Sequence, residues 1–113
     1  MDKPQALAAL SALANETRLD LVRALIAEGP AGLAAGDIAR RLGISASRLS
    51  FHLAALEQSG LIRSRKESRN VFYAAHPRQI GRLMGYLLND CCRAHPEVSA
   101  CCSKPQVTTD PES

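Results

Sequence analysis

Residues 36–62, GDIARRLGISASRLSFHLAALEQSGLI, constrain the fold more than any other stretch of the chain. Ile38 and Leu42 are four apart and share one face of a short helix. Gly43 follows at the place where a left-handed residue commonly ends a helix. Ser45 or Ser47 can cap the next helix, its hydroxyl accepting from a free backbone N–H. In that second helix Leu49, Leu53 and Leu56 recur at i, i+4 and i+7, an apolar stripe that demands burial. At about 100° per residue the opposite face carries Ser47, Arg48, Phe51 and Ala55. Small polar groups, a guanidinium and an aromatic ring suit a DNA major groove. The pattern is a helix-turn-helix, and its second helix is the candidate reader. Ser45, Ser47 and Ser50 would supply hydrogen bonds near its start, Arg48 would go to phosphate or guanine, and Phe51 would meet a thymine methyl.

The charge balance supports that placement. The chain of 113 residues has a net charge of only +3. Between Gly36 and Arg69, however, seven basic residues (Arg40, Arg41, Arg48, Arg63, Arg65, Lys66, Arg69) stand against three acidic ones (Asp37, Glu57, Glu67). The excess lies where a nucleic-acid contact needs it. A chain of this length builds one modest core. With aromatics at 4% and no Trp, that core must come from Leu, Ile, Val and Ala. No run approaches the ~18 apolar residues of a membrane span, and no signal peptide is recognisable at the start. The expected location is the cytoplasm, with no membrane partner.

Around the motif, residues 5–14 (QALAALSALA) form a helix of high propensity but small side chains, which needs a partner surface. Asn15 is a fit N-cap for a helix from Glu16 to Glu28, with Leu19, Val22, Leu25 and Ile26 as its expected buried face, ended by Gly29-Pro30. Gly32-Leu33-Ala34 can form one small edge strand. After the motif, the runs 61–66 and 71–74 flank a short polar turn and read as a hairpin whose tip carries Arg65, Lys66 and Arg69. A helix-turn-helix followed by a basic hairpin is a winged-helix arrangement, the wing lying along phosphates; the alternative is a hairpin charged only for solubility. A last helix runs from about Arg78 to Arg93, with Ile80, Leu83, Met84, Leu87, Leu88 and Cys91 on one side. That side completes the core or forms a dimer seam. Ala94-His95-Pro96 ends it, and the polar tail from Ser103 reads as disordered.

The four cysteines occur as two adjacent pairs, Cys91-Cys92 and Cys101-Cys102, within 12 residues. In a cytoplasmic protein they are better explained as metal ligands or redox thiols than as disulfides. Three or four thiolates select soft ions. Adjacent thiols span a tetrahedron poorly, and the spacing is not that of a zinc finger, but they can serve a three-coordinate pyramidal ion such as As(III) or Sb(III). Thiol redox chemistry and zinc with His95 as a fourth ligand remain open. His52 reads as a boundary residue of the second helix and His76 as a linker residue. No catalytic constellation, Gly-rich phosphate loop or organic cofactor motif appears, so the chain is not expected to be an enzyme.

The segments ALANETRLDLVRALI and GDIARRLGISASRLSFHLAALEQSGLI, with the basic hairpin ending in VFYAA, resemble the ArsR/SmtB family of metal-responsive winged-helix repressors. The likeness covers roughly residues 5–92 and rests on the pattern S-x-x-S-x-H-L-x-x-L-x-x-S-G-L-I (Ser47, Ser50, His52, Leu53, Leu56, Ser59, Gly60, Leu61, Ile62). It implies a homodimer through the first and last helices that represses an operator on double-stranded DNA until an ion binds. Members responding to arsenite or antimonite use three cysteine thiolates. Many carry a Cys-x-Cys pair before the recognition helix, where this chain has Ala34-Ala35-Gly36-Asp37. The chain is similar instead to the subgroup with a Cys-Cys pair at the end of the last helix and one cysteine further on. Cys91 and Cys92 match that pair. The third ligand is Cys101 or Cys102, with Cys102 favoured by its longer loop. The His and Asp ligands of zinc-sensing members have no counterpart.

The expected architecture is thus mainly α with a small β-hairpin, a winged helix-turn-helix of about five helices plus wing. Residues 1–98 would form the DNA-binding and dimerisation domain and 99–113 a cysteine-bearing flexible tail. The expected function is a repressor released by As(III) or Sb(III). Competing readings are a zinc-, cadmium- or redox-responsive regulator, or a small metal-handling protein that does not bind DNA.

Overall fold

A computed structural model describes residues 1–88. It has five helices and three short strands: α1 (Lys3–Leu13), α2 (Glu16–Glu28), β1 (Leu33–Ala34), α3 (Ala35–Leu42), α4 (Ala46–Gln58), β2 (Ile62–Glu67), β3 (Asn70–Ala75) and α5 (Pro77–Tyr86). The expected winged helix-turn-helix is present. Cys91, Cys92, Cys101 and Cys102 lie outside the described residues, as do the helix end expected at Ala94-His95-Pro96 and the tail expected from residue 99.

Local chemistry sets most boundaries. Helix α1 begins two residues before the expected start, because Asp2 and Gln5 form a capping box: each side chain accepts from the other's backbone N–H at 2.9 Å. Asn15 caps α2 as expected, accepting from the Arg18 N–H at 3.1 Å. Gly43 closes α3 in the left-handed region at φ 68°, its N–H donating to the Ala39 carbonyl. Ser45, rather than Ser47, caps α4 by accepting from the Arg48 N–H at 3.2 Å. Pro77 opens α5, where its missing N–H costs nothing.

The core is aliphatic, as the shortage of aromatics requires. Leu21, Leu25, Ile38, Leu49, Leu56, Leu61, Ile62 and Leu83 are almost wholly buried. Helix α1 turns Ala6, Ala9 and Ala12 inward, small side chains that let neighbouring helices come close, and leaves Leu7 and Leu10 exposed. The three-stranded antiparallel sheet has order β1-β3-β2. Leu33 pairs with Tyr73 beside Gly32, where any Cβ would collide with the Tyr73 carbonyl, so glycine is needed for this edge strand to dock.

One expectation of the core needs correction. Leu19 and Ile26 are 45% and 52% exposed; the buried face of α2 is Leu21, Val22 and Leu25. That face is rotated about 70° from the expected one at 100° per residue, and α2 packs against α1, α3, α4 and β3. On α5, the stripe divides: Leu83 is buried and Ile80 packs against the core, while Met84 is exposed.

Candidate nucleic-acid interface

Helix α4 is seated by Leu49, Leu53 and Leu56, each no more than 3% exposed. Burying this line forces Ser47, Arg48, Ser50 and Phe51 outward, and all four are exposed. Phe51 is 66% exposed, a large apolar ring presented to solvent. With Ser47, Arg48 and His52 it lines a shallow cleft of about 390 Å³. Ser45 and Ser47 approach each other to 3.4 Å between hydroxyls at the helix start, so one stays available to a ligand only in part.

His52 is not a boundary residue but a buried one, at 7% exposure. It lies next to the leucine stripe and faces α2. There Arg18 donates from Nε to His52 Nδ1 at 3.1 Å. An Nδ1 that accepts carries no proton, so the imidazole is neutral with its hydrogen on Nε2. Burial lowers its pKa below the ordinary histidine value, and the positive charges of Arg18 and Arg48 lower it further. The Arg18 guanidinium carbon also sits 5.5 Å from the centre of the Phe51 ring. The His52 ring meets Phe51 edge-on at 5.6 Å. Arg18 is not among the site residues expected from the sequence. Its signal was an arginine on the same helical line as Leu21 and Leu25, where a charge needs a partner. His76, read as a linker, occupies the N-cap position of α5 without making a side-chain cap.

The wing is a tight hairpin. Glu67 pairs with Asn70, leaving Ser68 and Arg69 as the turn, with Ser68 at φ 57°. Of the three basic residues expected at the tip, only Arg69 is in the turn; Arg65 and Lys66 are in β2, opposite Phe72 and Val71. They therefore point to opposite faces of the hairpin. Arg65 is already engaged, with Nε 3.1 Å from Glu67 Oε2 and its guanidinium 5.0 Å from the Phe72 ring centre. Lys66 and Arg69 form no ion pair among the described residues. The wing is tied to the end of α4 by Ser64, whose hydroxyl donates to Glu57 Oε2 at 2.8 Å. Tyr73, opposite Ser64, has its pKa raised by burial and then by the Glu57 charge. In α3, Arg40 pairs with Asp37, and Arg41 lies 3.9 Å from Glu28, so these two arginines are partly neutralised.

Comparisons with known proteins agree with this geometry. Residues 13–65 match a family described as a helix-turn-helix domain. The transcriptional activator HlyU of Vibrio cholerae is 35% identical over 91 residues, covering 80% of this chain and 82% of that protein. A solved structure described as reduced HlyU is 33% identical with a TM-score of 0.58, covering 78% of this chain and 90% of that one. An ArsR-like transcriptional regulator from Rhodococcus sp. RHA1 superposes with a TM-score of 0.71 at 26% identity, covering 87% of this chain and 90% of that one. A homodimeric winged helix-turn-helix DNA-binding domain from Mycobacterium bovis, described as a possible ArsR-family regulator, gives 0.63 at 30%, covering 83% of each chain. The chain belongs to the winged helix-turn-helix transcriptional regulators of the ArsR/HlyU type. It is a DNA-binding transcriptional regulator, and its family is not one of enzymes. No helix among the described residues is long and apolar enough to cross a membrane.

Proposed function

We propose that this regulator binds its operator as a homodimer and is released by As(III) or Sb(III) held on cysteine thiolates. Helix α4 would enter the major groove with Phe51, Ser45, Ser47, Ser50 and Arg48 toward the bases and nearby phosphates, and the wing would follow the backbone with Lys66, Arg69 and Arg65. The exposed Phe51 is the observation that carries the DNA reading: a ring 66% open to water on an otherwise well-seated helix gains free energy by meeting a base edge. The dimer would form through α1 and α5. Its support is the exposed Leu7 and Leu10 on one helix and Met84 on the other, apolar groups left open among the described residues.

The inducer rests on the four cysteines. Cys91, Cys92 and one of Cys101 and Cys102 supply three soft donors, the set a pyramidal trivalent metalloid takes. Among the described residues no group of three His, Cys, Asp or Glu side chains offers a competing metal site. Because the pair follows α5 in sequence, an ion there would bias how two subunits pack. The two α4 helices must enter grooves about one turn apart, so a changed packing lowers operator affinity without blocking the groove. Thiolate ligation also releases protons, so induction weakens at low pH. Repression until induction is part of this proposal; the relative HlyU is described as an activator.

The test is a DNA-binding titration with and without As(III), Sb(III), Cd(II) and Zn(II). Cys91→Ser and Cys92→Ser should keep DNA binding and lose release by As(III). If the double variant Cys101→Ser, Cys102→Ser still lets go at wild-type As(III) concentrations, the three-thiol site is wrong. A second reading, thiol redox sensing, draws on the description of a relative's structure as reduced HlyU. Release by peroxide that dithiothreitol reverses, with no response to As(III), would favour it.

A further inference from the structure

The surface that α4 presents is not built by α4 alone. Arg18 lies on the inward line of α2, three residues before Leu21 and seven before Leu25, and reaches α4 from outside the helix-turn-helix. Its one guanidinium makes two contacts in different directions. In its plane, Nε–H donates to His52 Nδ1 at 3.1 Å; Cζ lies 5.5 Å from the centre of the Phe51 ring. His52 completes the triangle with an edge contact to Phe51 at 5.6 Å and an interplanar angle of 68°.

The triangle matters because Phe51 has little else to hold it. An exposed phenylalanine on a helix can take either of two common χ1 wells and turns freely about χ2. Here a guanidinium and an imidazole edge bound the ring on the α2 side. A planar guanidinium holds its N–H donors in a rigid fork and meets aromatic rings with a delocalised charge, a geometry that the compact ammonium on lysine's flexible stem does not reproduce. His52 is the pivot, buried beside the leucine stripe of α4 and bonded to Arg18.

We propose that Arg18 is a positioning residue for base reading, fixing the orientation of the Phe51 ring through its joint contacts with Phe51 and His52. The proposal rests on the reading of Phe51 as a base contact. It assigns part of operator specificity to α2, an element outside the DNA-reading motif.

The experiment uses the full chain and two probes: the duplex that the wild-type protein enriches from a random-sequence library, and an unselected duplex of equal length. Arg18→Lys keeps the charge, so affinity for the unselected duplex should stay within about twofold while preference for the selected duplex falls about fivefold, the scale of an exposed cation–π contact. Arg18→Gln should lose at least as much preference. In a Phe51→Ala background, neither substitution should change preference further. An equal loss in both backgrounds means that Arg18 touches DNA itself or acts only through stability, and overturns the proposal. If Phe51→Ala lowers preference but the Arg18 variants do not, the Arg18 proposal alone fails. If Phe51→Ala leaves preference unchanged, the base-contact reading fails and this inference with it. The wild-type chain gives a check free of folding effects: NMR couplings should report one χ1 rotamer for Phe51, with ring contacts to the Arg18 side chain. Averaged couplings would overturn the proposal.

Discussion

Helix α4 and the wing are the two parts of the molecule suited to DNA, and they are held in opposite ways. The helix sinks Leu49, Leu53 and Leu56 into the core, receives a serine cap, and has its outer ring bounded by Arg18 and His52. The wing buries only Ile62 of β2 and presents the rest of that strand to solvent. Reading base edges depends on position to within a fraction of an ångström, which takes an anchored element. Neutralising phosphates depends on charge and reach, which a hairpin supplies without a deep anchor. The same contrast orders what substitutions should do.

The largest effect should come from the anchor. Leu56→Ala removes a side chain that is fully buried between helices and should lower stability by about 2–5 kcal/mol. Urea denaturation followed by circular dichroism measures it. Phe72→Ala in the wing removes a half-buried ring and should cost clearly less. If the two losses match, the wing is as deeply anchored as the helix and the contrast fails.

Next comes the reading surface. Phe51→Ala exchanges an exposed ring for a methyl, so stability should hardly change while specific binding weakens by about 1–3 kcal/mol. Binding to random duplex should be nearly untouched. Equal losses on both duplexes would remove Phe51 from base reading.

Acid should act on the helix side through His52. His52 has a pKa below its ordinary 6.5 in the folded chain, for reasons of burial, then Arg18, then Arg48. Above 6.5 it is neutral whether folded or unfolded, so its contribution does not vary with pH. As pH falls below 6.5 toward the folded-state value, the unfolded chain takes up the proton first and stability declines. His52→Asn should flatten that part of the stability profile. A profile unchanged by the substitution would mean that His52 does not carry this linkage.

What could be read from residues alone follows from how local each cause is. The turn at Gly43, the cap at Asn15, and the burial of Leu49, Leu53 and Leu56 are decided within a few residues, and the sequence suffices for them; the cap of α4 it narrows to Ser45 or Ser47. The inward face of α2 is not local. Leu19 and Ile26 are as apolar as Leu21 and Leu25, and the distant elements packed against α2 decide which of them are covered. Arg18 was available as a misplaced charge on a leucine line, but its partner is 34 residues away in the chain. The D-x-x-Q box at Asp2–Gln5 was also readable, and the Ala-rich run behind it drew the start of α1 too late. In the wing, composition correctly gave a basic hairpin, yet strand register, not composition, separates Arg65 from Lys66.

That register gives the smallest and most discriminating prediction. Arg69 in the turn and Lys66 on one face have no ion-pair partner among the described residues, whereas Arg65 is shared with Glu67 and Phe72. A charge free to meet phosphate releases about one counterion when it does so. Arg69→Gln or Lys66→Gln should therefore weaken binding to every duplex alike and lower the salt slope of log K by about one. Arg65→Gln should lower it by less, because its charge is already partly answered at 3.1 Å by a carboxylate in the free protein. Titrations of one duplex across a range of salt concentrations separate the three. A full unit lost at Arg65, with none at Arg69, would mean that the wing meets DNA along the Arg65 face instead of through its tip, and that the Glu67 pair opens on binding.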